Sequence, residues 1–313
     1  MADIKDVIKY FKVSDGTEIE YADLGGSGPV LLFIPGYSLS TELVVPVLAH
    51  LSEHFRCVTL TLRGFGGRTP ATRGSEAKGE LTLKQAAKDI KELMAYLDLK
   101  DVITIGYSMG THVAFSYIQL FGCENISRLV ILDMTPKLIN EEGWTGGLYQ
   151  GSYSRERYEL DLKAMDTDYQ KDFNNYFFYQ ASFPHTRDEV RDYVFTEDMM
   201  KAIDAYAEGY GIPGFTGSML TYLEPQKWPI YKSYWNEMCV NDFRGMLKDI
   251  TVPTGIFHAV PGSIYDIQTA EYLEQNIPGS KRYPIENAVH TSLIMSSAGE
   301  VFKQLFAFLA DNR

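Results

Sequence analysis

The stretch Val102-Ile103-Thr104-Ile105-Gly106-Tyr107-Ser108-Met109-Gly110 decides the fold of this 313-residue chain. Its first four residues predict a buried strand, and residues 112–120 have a helical pattern. Between them lies a Gly-x-Ser-x-Gly pentapeptide, in the strand–turn–helix setting that exposes a serine hydroxyl. Glycines flank the serine because larger side chains would collide with the neighbouring strand and helix. Ser108 is therefore predicted to be a nucleophile.

Short apolar runs alternate with helical patterns along the chain, which predicts an α/β fold with a parallel sheet covered on both faces. The clearest helix is predicted at 82–97, where apolar residues recur with a 3.6-residue period. An antiparallel hairpin is predicted from 7–13 and 18–22, around a Ser-Asp-Gly turn. The runs predicted to be strands of the parallel sheet are 30–34, 57–62, 102–105, 129–132, 254–259 and 281–285.

The alternation of strands and helices stops after Pro136 and resumes near Pro253. The residues between hold all 3 tryptophans, clusters of tyrosine and phenylalanine, and helix-like patterns. We therefore predict a core domain formed by residues 1–136 and 246–313, with residues 137–245 inserted as a helical cap.

Composition and charge exclude several classes of protein. Lys and Arg number 29 against 41 Asp and Glu, and the net charge of −12 repels nucleic-acid phosphates and anionic membranes. Charged residues interrupt the first 13 positions, so neither a signal peptide nor a membrane span is predicted, and we expect a cytoplasmic protein.

Without a His-Glu-x-x-His motif or a dense ligand cluster, we expect no metal and no cofactor. The expected partner is a small molecule.

A serine hydroxyl becomes a good nucleophile only when a base takes its proton. His290 follows the last predicted strand, which is the chain order that a Ser108 elbow requires. The other five histidines precede the nucleophile, lie in its helix or in the cap, or end a strand. His290 is the predicted general base.

The carboxylate that orients this histidine has two candidates. The loop after the strand 254–259 lacks a carboxylate at its usual place, and Asp266 falls two or three residues late, where it suits a helix N-cap. Asp133 ends the strand 129–132, at the carboxyl edge of the sheet where ligands gather in open α/β folds. Asp133 is the preferred acid, and Asp266 is the alternative.

Acyl transfer also needs two backbone amides where the oxyanion forms. One belongs to the residue after the nucleophile, and the other to the loop after an earlier strand. The predicted oxyanion donors are Met109 and Tyr37; the latter follows Pro35-Gly36, where the glycine permits a tight turn.

These motifs together resemble the α/β-hydrolase superfamily over nearly all of the chain outside 137–245. The matching segments are Pro35-Gly36-Tyr37, Arg63-Gly64-Phe65-Gly66, the Ser108 pentapeptide, and Ala288-Val289-His290. Residues 129–136 are similar to the small serine esterases of the superfamily that carry their acid after the sixth strand. The resemblance implies a mostly parallel eight-stranded sheet flanked by helices, with a helical cap inserted after strand six.

The chain also departs from the family's usual pattern. Pro35 stands where histidine is usual, Thr61 where aspartate is common, and Val289 where glycine is common. None of these departures removes a required catalytic group if Asp133 serves as the acid.

The resemblance implies serine chemistry, since the members that open epoxides or displace halide use an aspartate nucleophile. We predict a carboxylesterase-like hydrolase that cleaves an ester or lactone of a small hydrophobic substrate through an acyl-enzyme on Ser108. The same triad also suits a carbon–carbon bond hydrolase, a perhydrolase or haloperoxidase-like enzyme, and a ligand receptor of this fold with little turnover.

Aromatic residues are the candidate substrate contacts, because small-molecule sites are concave and lined by such side chains. The predicted contacts are Tyr37, Trp144 and Tyr179. A nucleotide-binding module is the alternative from another class, suggested by the glycines after Arg63. It fails because Thr69 occupies the position of the third glycine in a G-x-G-x-x-G frame.

Overall fold

The computed structural model of this protein describes residues 7–66, 73–169, 173, 175–182, 201, 204–205 and 225–311. The strands within these residues form a sheet in the order β1-β2-β4-β3-β5-β6-β7-β8. β2 is antiparallel to β1 and β4, and every other pairing is parallel. The prediction of a mostly parallel eight-stranded sheet is confirmed. The strands are β1 (Ile8–Lys12), β2 (Glu18–Asp23), β3 (Val30–Ile34), β4 (Arg56–Leu60), β5 (Val102–Tyr107), β6 (Ile126–Leu132), β7 (Thr254–Val260) and β8 (Lys281–Glu286).

Helices flank the sheet and connect its parallel strands, as this fold requires. The helices are α1 (Thr41–Ala49), α2 (Leu83–Tyr96), α3 (Met109–Phe121), α4 (Arg155–Asp168), α5 (Asn175–Ser182), α6 (Trp228–Val240), α7 (Ile267–Asn276) and α8 (Ala298–Ala310). α2 begins where its sequence predicts, because the hydroxyl of Thr82 accepts a hydrogen bond from the backbone N–H of Gln85 at 3.1 Å.

β5 lies at the centre of the sheet, and all its side chains are buried. The strand runs two residues beyond the predicted 102–105, because Gly106 and Tyr107 still pair with Ile131 and Leu132 of β6. The sheet therefore carries the backbone to the residue before Ser108, which leaves this serine at the carboxyl edge.

Arg63 of the Arg-Gly-x-Gly turn is a structural residue. Its side chain is fully buried, and its guanidinium donates two hydrogen bonds to the carboxylate of Asp89 on α2, at 2.7 and 2.5 Å. The backbone carbonyl of Arg63 accepts from the hydroxyl of Tyr234 on α6 at 3.1 Å. This turn joins the end of β4 to two helices, and a Cβ atom on its Gly64 would lie only 2.6 Å from Ile230 Cγ2 of α6.

The described residues between 137 and 245 contribute α4, α5 and α6 and add no strand to the sheet. α4 and α6 are joined by a buried hydrogen bond from Trp235 Nε1 to Tyr153 Oη at 3.0 Å, and from that hydroxyl to Asp161 at 2.8 Å. These helices suit an insertion after β6. The division into a core at 1–136 and 246–313 and a cap at 137–245 stays a prediction.

No helix in the described part of the chain is both long enough and apolar enough to cross a membrane.

Candidate active site

The turn at Ser108 is backbone-strained. Ser108 has φ 51° and ψ −126°, in a region that residues other than glycine rarely adopt. Its N–H donates to the carbonyl of Leu132 at 3.0 Å, and its carbonyl accepts from the N–H of Thr111 at 2.8 Å. These bonds hold the turn between β5 and α3 in one conformation, with the serine side chain at the sheet edge.

Both glycines of the pentapeptide are required by close backbone contacts. A Cβ atom on Gly106 would lie 2.6 Å from the Cα atom of Thr111, and one on Gly110 would lie 2.0 Å from the carbonyl oxygen of Ile34 in β3. Neither contact can be relieved by rotating a side chain. The steric reason for glycine at these positions is therefore visible in the structure.

His290 links Ser108 to Asp133 through its two ring nitrogens. Nε2 lies 3.0 Å from Ser108 Oγ, and Nδ1 lies 2.6 Å from Asp133 Oδ2. The carboxylate can only accept, so Nδ1 carries the proton and Nε2 accepts from the serine hydroxyl. All three side chains are buried. The arrangement can move a proton from serine to histidine while the carboxylate stabilises the imidazolium.

The structure brings Asp133, and not Asp266, to the histidine. Asp133 follows β6 directly, and its N–H donates to the carbonyl of Phe257 in β7 at 2.8 Å. Asp266 instead caps α7, where its carboxylate accepts from the N–H of Gln268 at 2.9 Å. The N-cap interpretation of Asp266 is confirmed.

Two tyrosine rings contact the imidazole of His290. Tyr107 stacks on it with ring centroids 5.1 Å apart and an interplanar angle of 24°, and Tyr265 meets it at 79° and 5.9 Å. Burial raises the pKa of both hydroxyls well above 10, and the charge of Asp133 raises it further. Both phenols therefore remain neutral donors near the carboxylate.

A cavity of about 20 Å³ adjoins Ser108 and His290, with room for about one water molecule. Its wall is largely apolar and includes Phe177 and Ala181 of α5. The other lining residues are Tyr37, Leu39, Tyr107, Thr291, Ile294 and Met295. A neutral, apolar group suits this wall.

The two predicted oxyanion donors lie beside the nucleophile. Met109 is the first residue of α3, where backbone N–H groups lack partners within the helix. Tyr37 lies in the loop after β3, and its side chain lines the cavity. Its hydroxyl donates to the carbonyl of Tyr231 on α6 at 3.0 Å. The role of the two amides in binding an oxyanion stays a prediction.

The other two predicted substrate contacts have different outcomes. Trp144 is buried away from this cavity: its Nε1 donates to the carbonyl of Lys137 at 3.1 Å, and its ring meets that of Tyr272 at 4.8 Å. The structure does not bring it to Ser108. The side chain of Tyr179 lies outside the described residues.

No role at the site was predicted from the sequence for Tyr107, Tyr265 or Thr291. Tyr107 occupies an unspecified position of the pentapeptide, so only its place beside Ser108 could have indicated a role. Tyr265 lies in a loop and Thr291 begins a short 3-10 helix, and nothing in the sequence shows that these segments meet the imidazole or α5.

The sequence of residues 29–296 matches the family described as alpha/beta hydrolase fold. The chain belongs to this family. The matched residues include β3 to β8 together with Ser108, Asp133 and His290, so the predicted family is confirmed and the protein is a hydrolase of the α/β family.

Individual relatives are distant but are matched along almost their whole length. A non-heme haloperoxidase of Rhodococcus erythropolis is 23% identical over 311 residues, which is 96% of this chain and 98% of that protein. The structure of a bromoperoxidase from Bacillus anthracis aligns with a TM-score of 0.74 at 21% identity, covering 97% of this chain and 100% of that one. An esterase from Exiguobacterium antarcticum gives 0.73 at 19% identity, with coverage of 97% and 99%. At these identities, the two structural matches show the fold alone.

Proposed function

We propose that this protein is a serine hydrolase that cleaves a carboxylic ester or lactone of a small hydrophobic substrate through an acyl-enzyme on Ser108. One observation carries the proposal: the continuous hydrogen-bonded chain from Ser108 Oγ through both nitrogens of His290 to Asp133. A nucleophile, a base and an orienting group within hydrogen-bond reach form the pattern by which such sites are recognised.

In the first half of the proposed reaction, Ser108 Oγ attacks the carbonyl carbon and its proton passes to Nε2 of His290. The amides of Tyr37 and Met109 stabilise the negative oxygen that develops. Collapse of the tetrahedral intermediate breaks the bond to the leaving oxygen, which takes the proton from Nε2. The alcohol leaves, and the acyl group remains on Ser108.

In the second half, water replaces the alcohol. Nε2 of His290 takes a proton from the water as its oxygen attacks the acyl carbon, and the bond to Ser108 Oγ then breaks. The proton returns to Ser108 and the carboxylic acid leaves. Asp133 keeps Nδ1 protonated throughout and stabilises the imidazolium at each proton transfer.

The cavity wall supports a neutral apolar acyl group. None of the residues that line the cavity beside Ser108 is an aspartate, glutamate, lysine or arginine. Burying an unpaired charged acyl group against this wall would cost several kcal/mol. Short-chain aliphatic esters are the first substrates to test.

A perhydrolase activity is the second candidate, because the Rhodococcus relative is named a non-heme haloperoxidase. Hydrogen peroxide would then take the place of water in attacking the acyl-enzyme and would give a peracid. Adding peroxide to an ester assay and measuring peracid against carboxylic acid separates the two reactions.

The decisive experiment compares turnover of p-nitrophenyl esters by the wild type, Ser108→Ala, Asp133→Asn and Asp266→Asn. We expect no turnover by Ser108→Ala and a loss of about 10⁴ in kcat for Asp133→Asn, because the neutral amide no longer fixes the correct histidine tautomer. Asp266→Asn is the matched control, since asparagine also caps a helix.

Full activity of Ser108→Ala would refute the proposed nucleophile. Wild-type activity of Asp133→Asn with a collapse in Asp266→Asn would refute the proposed acid. One slow covalent event without further cycles would favour the receptor alternative.

A further inference from the structure

Tyr107 is bonded to the loop that carries the proposed base. Its hydroxyl donates to the backbone carbonyl of His290 at 2.9 Å, and its ring stacks on the imidazole of that residue. Tyr107 is also the last residue of β5 and the covalent neighbour of Ser108. One side chain therefore ties the strand that presents the nucleophile to the loop that presents the base.

This contact matters because different structural elements hold Ser108 and His290 at the site. Ser108 lies on a turn fixed by β5, β6 and α3, whereas His290 lies in the loop between β8 and a short 3-10 helix at Thr291–Ile294. The 3.0 Å distance between Ser108 Oγ and His290 Nε2 depends on how this turn and this loop pack against each other. An error of 1 Å in such a distance can cost about 10²-fold in rate.

The hydroxyl and the ring of Tyr107 restrict different motions of His290. The bond to the carbonyl fixes the backbone of His290, and the stacked ring limits rotation of the imidazole. The Tyr107 ring also stacks with Phe33 of β3, with centroids 6.3 Å apart and an interplanar angle of 28°. The tyrosine is thus itself held by the central sheet.

We propose that Tyr107 is a positioning residue that sets the alignment of His290 with Ser108 and Asp133. The expected effect on kcat rests on the proposed function, because it assumes that His290 acts on Ser108 during turnover. The geometric part concerns the histidine alone and can be measured without a substrate.

The test compares Tyr107→Phe, Tyr107→Leu and the control Tyr117→Phe. Tyr107→Phe removes the bond to His290 and keeps the ring, and Tyr107→Leu removes both. Tyr117 lies on α3 and is also buried, but its hydroxyl has no hydrogen-bond partner in the described part of the chain. The control therefore removes a buried tyrosine hydroxyl without removing a bond to the site.

Two readouts are recorded: kcat and KM on p-nitrophenyl acetate, and the far-downfield proton NMR signal of the Nδ1–H between His290 and Asp133. For Tyr107→Phe we expect kcat to fall about tenfold with KM within about twofold, because alignment acts on proton transfer. For Tyr107→Leu we expect a fall of about 10²-fold. The downfield signal should shift or broaden in both variants and stay unchanged in Tyr117→Phe.

The positioning role is overturned if Tyr107→Phe retains both wild-type kcat and the wild-type signal. It is also overturned if Tyr117→Phe shows the same losses, because a general cost of removing a buried hydroxyl would then explain them. Failure of the proposed function is seen separately, as a wild type without Ser108-dependent turnover. In that case, the NMR comparison still decides whether Tyr107 positions the imidazole.

Discussion

The strained backbone conformation of Ser108 is held in place by hydrogen bonds and close packing from neighbouring elements. A residue in such a conformation costs about 1–3 kcal/mol, and it persists only where the surrounding structure fixes it. Here β6 accepts its N–H, α3 bonds to its carbonyl, and two glycines let β3 and α3 approach closely. The position of the Ser108 hydroxyl at the sheet edge therefore depends on small residues that take no part in the proposed chemistry.

Gly110→Ala should destabilise the protein strongly. The added methyl would lie 2.0 Å from the carbonyl oxygen of Ile34, so α3 must move away from β3 at a cost of about 3 kcal/mol. Urea unfolding measures this as a lower transition midpoint at unchanged slope. Gly299→Ala in α8 is the control, since a Cβ atom there meets nothing and alanine favours a helix by about 1 kcal/mol. Equal stabilities of the two variants would contradict the steric explanation.

At the scale of elements, α5 lines the cavity beside Ser108. Phe177 and Ala181 of this helix form part of the wall. Its end is bonded to the residue after His290: Thr291 Oγ1 donates to the carbonyl of Ala181 at 3.1 Å and contacts Ser182 Oγ at 3.2 Å. The cavity of about 20 Å³ has room for about one water molecule, so we expect longer acyl groups to be bound only if α5 is displaced.

Thr291→Val should favour longer esters. It keeps the side-chain shape and removes the bonds to α5, which are worth about 1 kcal/mol or about fivefold in a rate ratio. We expect kcat/KM for p-nitrophenyl hexanoate to rise about fivefold relative to acetate. Thr167→Val is the control, because that hydroxyl bonds to carbonyls within α4. An unchanged hexanoate-to-acetate ratio would show that this contact does not limit access.

Much of the core could be predicted closely from the sequence, because the central strands β3 and β5 are short apolar runs and α2 repeats its apolar residues with a helical period. Ser108 and His290 could be predicted from motif and chain order. The choice of Asp133 over Asp266 needed an argument about the sheet edge. The contacts of Tyr107, Trp144 and Thr291 could not be predicted, because they depend on how loops pack after the sheet has formed.

At the scale of the whole molecule, a buried histidine makes stability depend on pH. His112 lies inside α3, with Nε2 bonded to the carbonyl of Thr135 at 2.8 Å and Nδ1 buried without a hydrogen-bond partner in the described residues. Burial lowers its pKa from 6.5 to about 4. Protonation would place a charge on a buried nitrogen that has no hydrogen-bond partner among the described residues.

The free energy of unfolding should therefore fall as the pH drops below about 6.5. Below pH 6.5, His112 binds a proton in the unfolded state, whereas in the folded state it stays neutral until the pH approaches 4. His112 alone therefore lowers the free energy of unfolding by about 2 kcal/mol between pH 7.5 and pH 5. Urea unfolding at both pH values measures the loss. In His112→Gln, which keeps a donor for Thr135, the difference between the two pH values should shrink by about that amount. An unchanged difference would assign the acid sensitivity to other groups.

The order of the active-site residues along the chain has a consequence for synthesis. The proposed nucleophile and its proposed carboxylate belong to one continuous unit, β5–α3–β6, whereas His290 follows Asp133 by 157 residues. A ribosome therefore completes the serine, its elbow and the acid long before the base emerges. Under the proposed mechanism, the nascent chain carries an unactivated serine through most of translation, and hydrolysis can begin only after β8 and its following loop have docked.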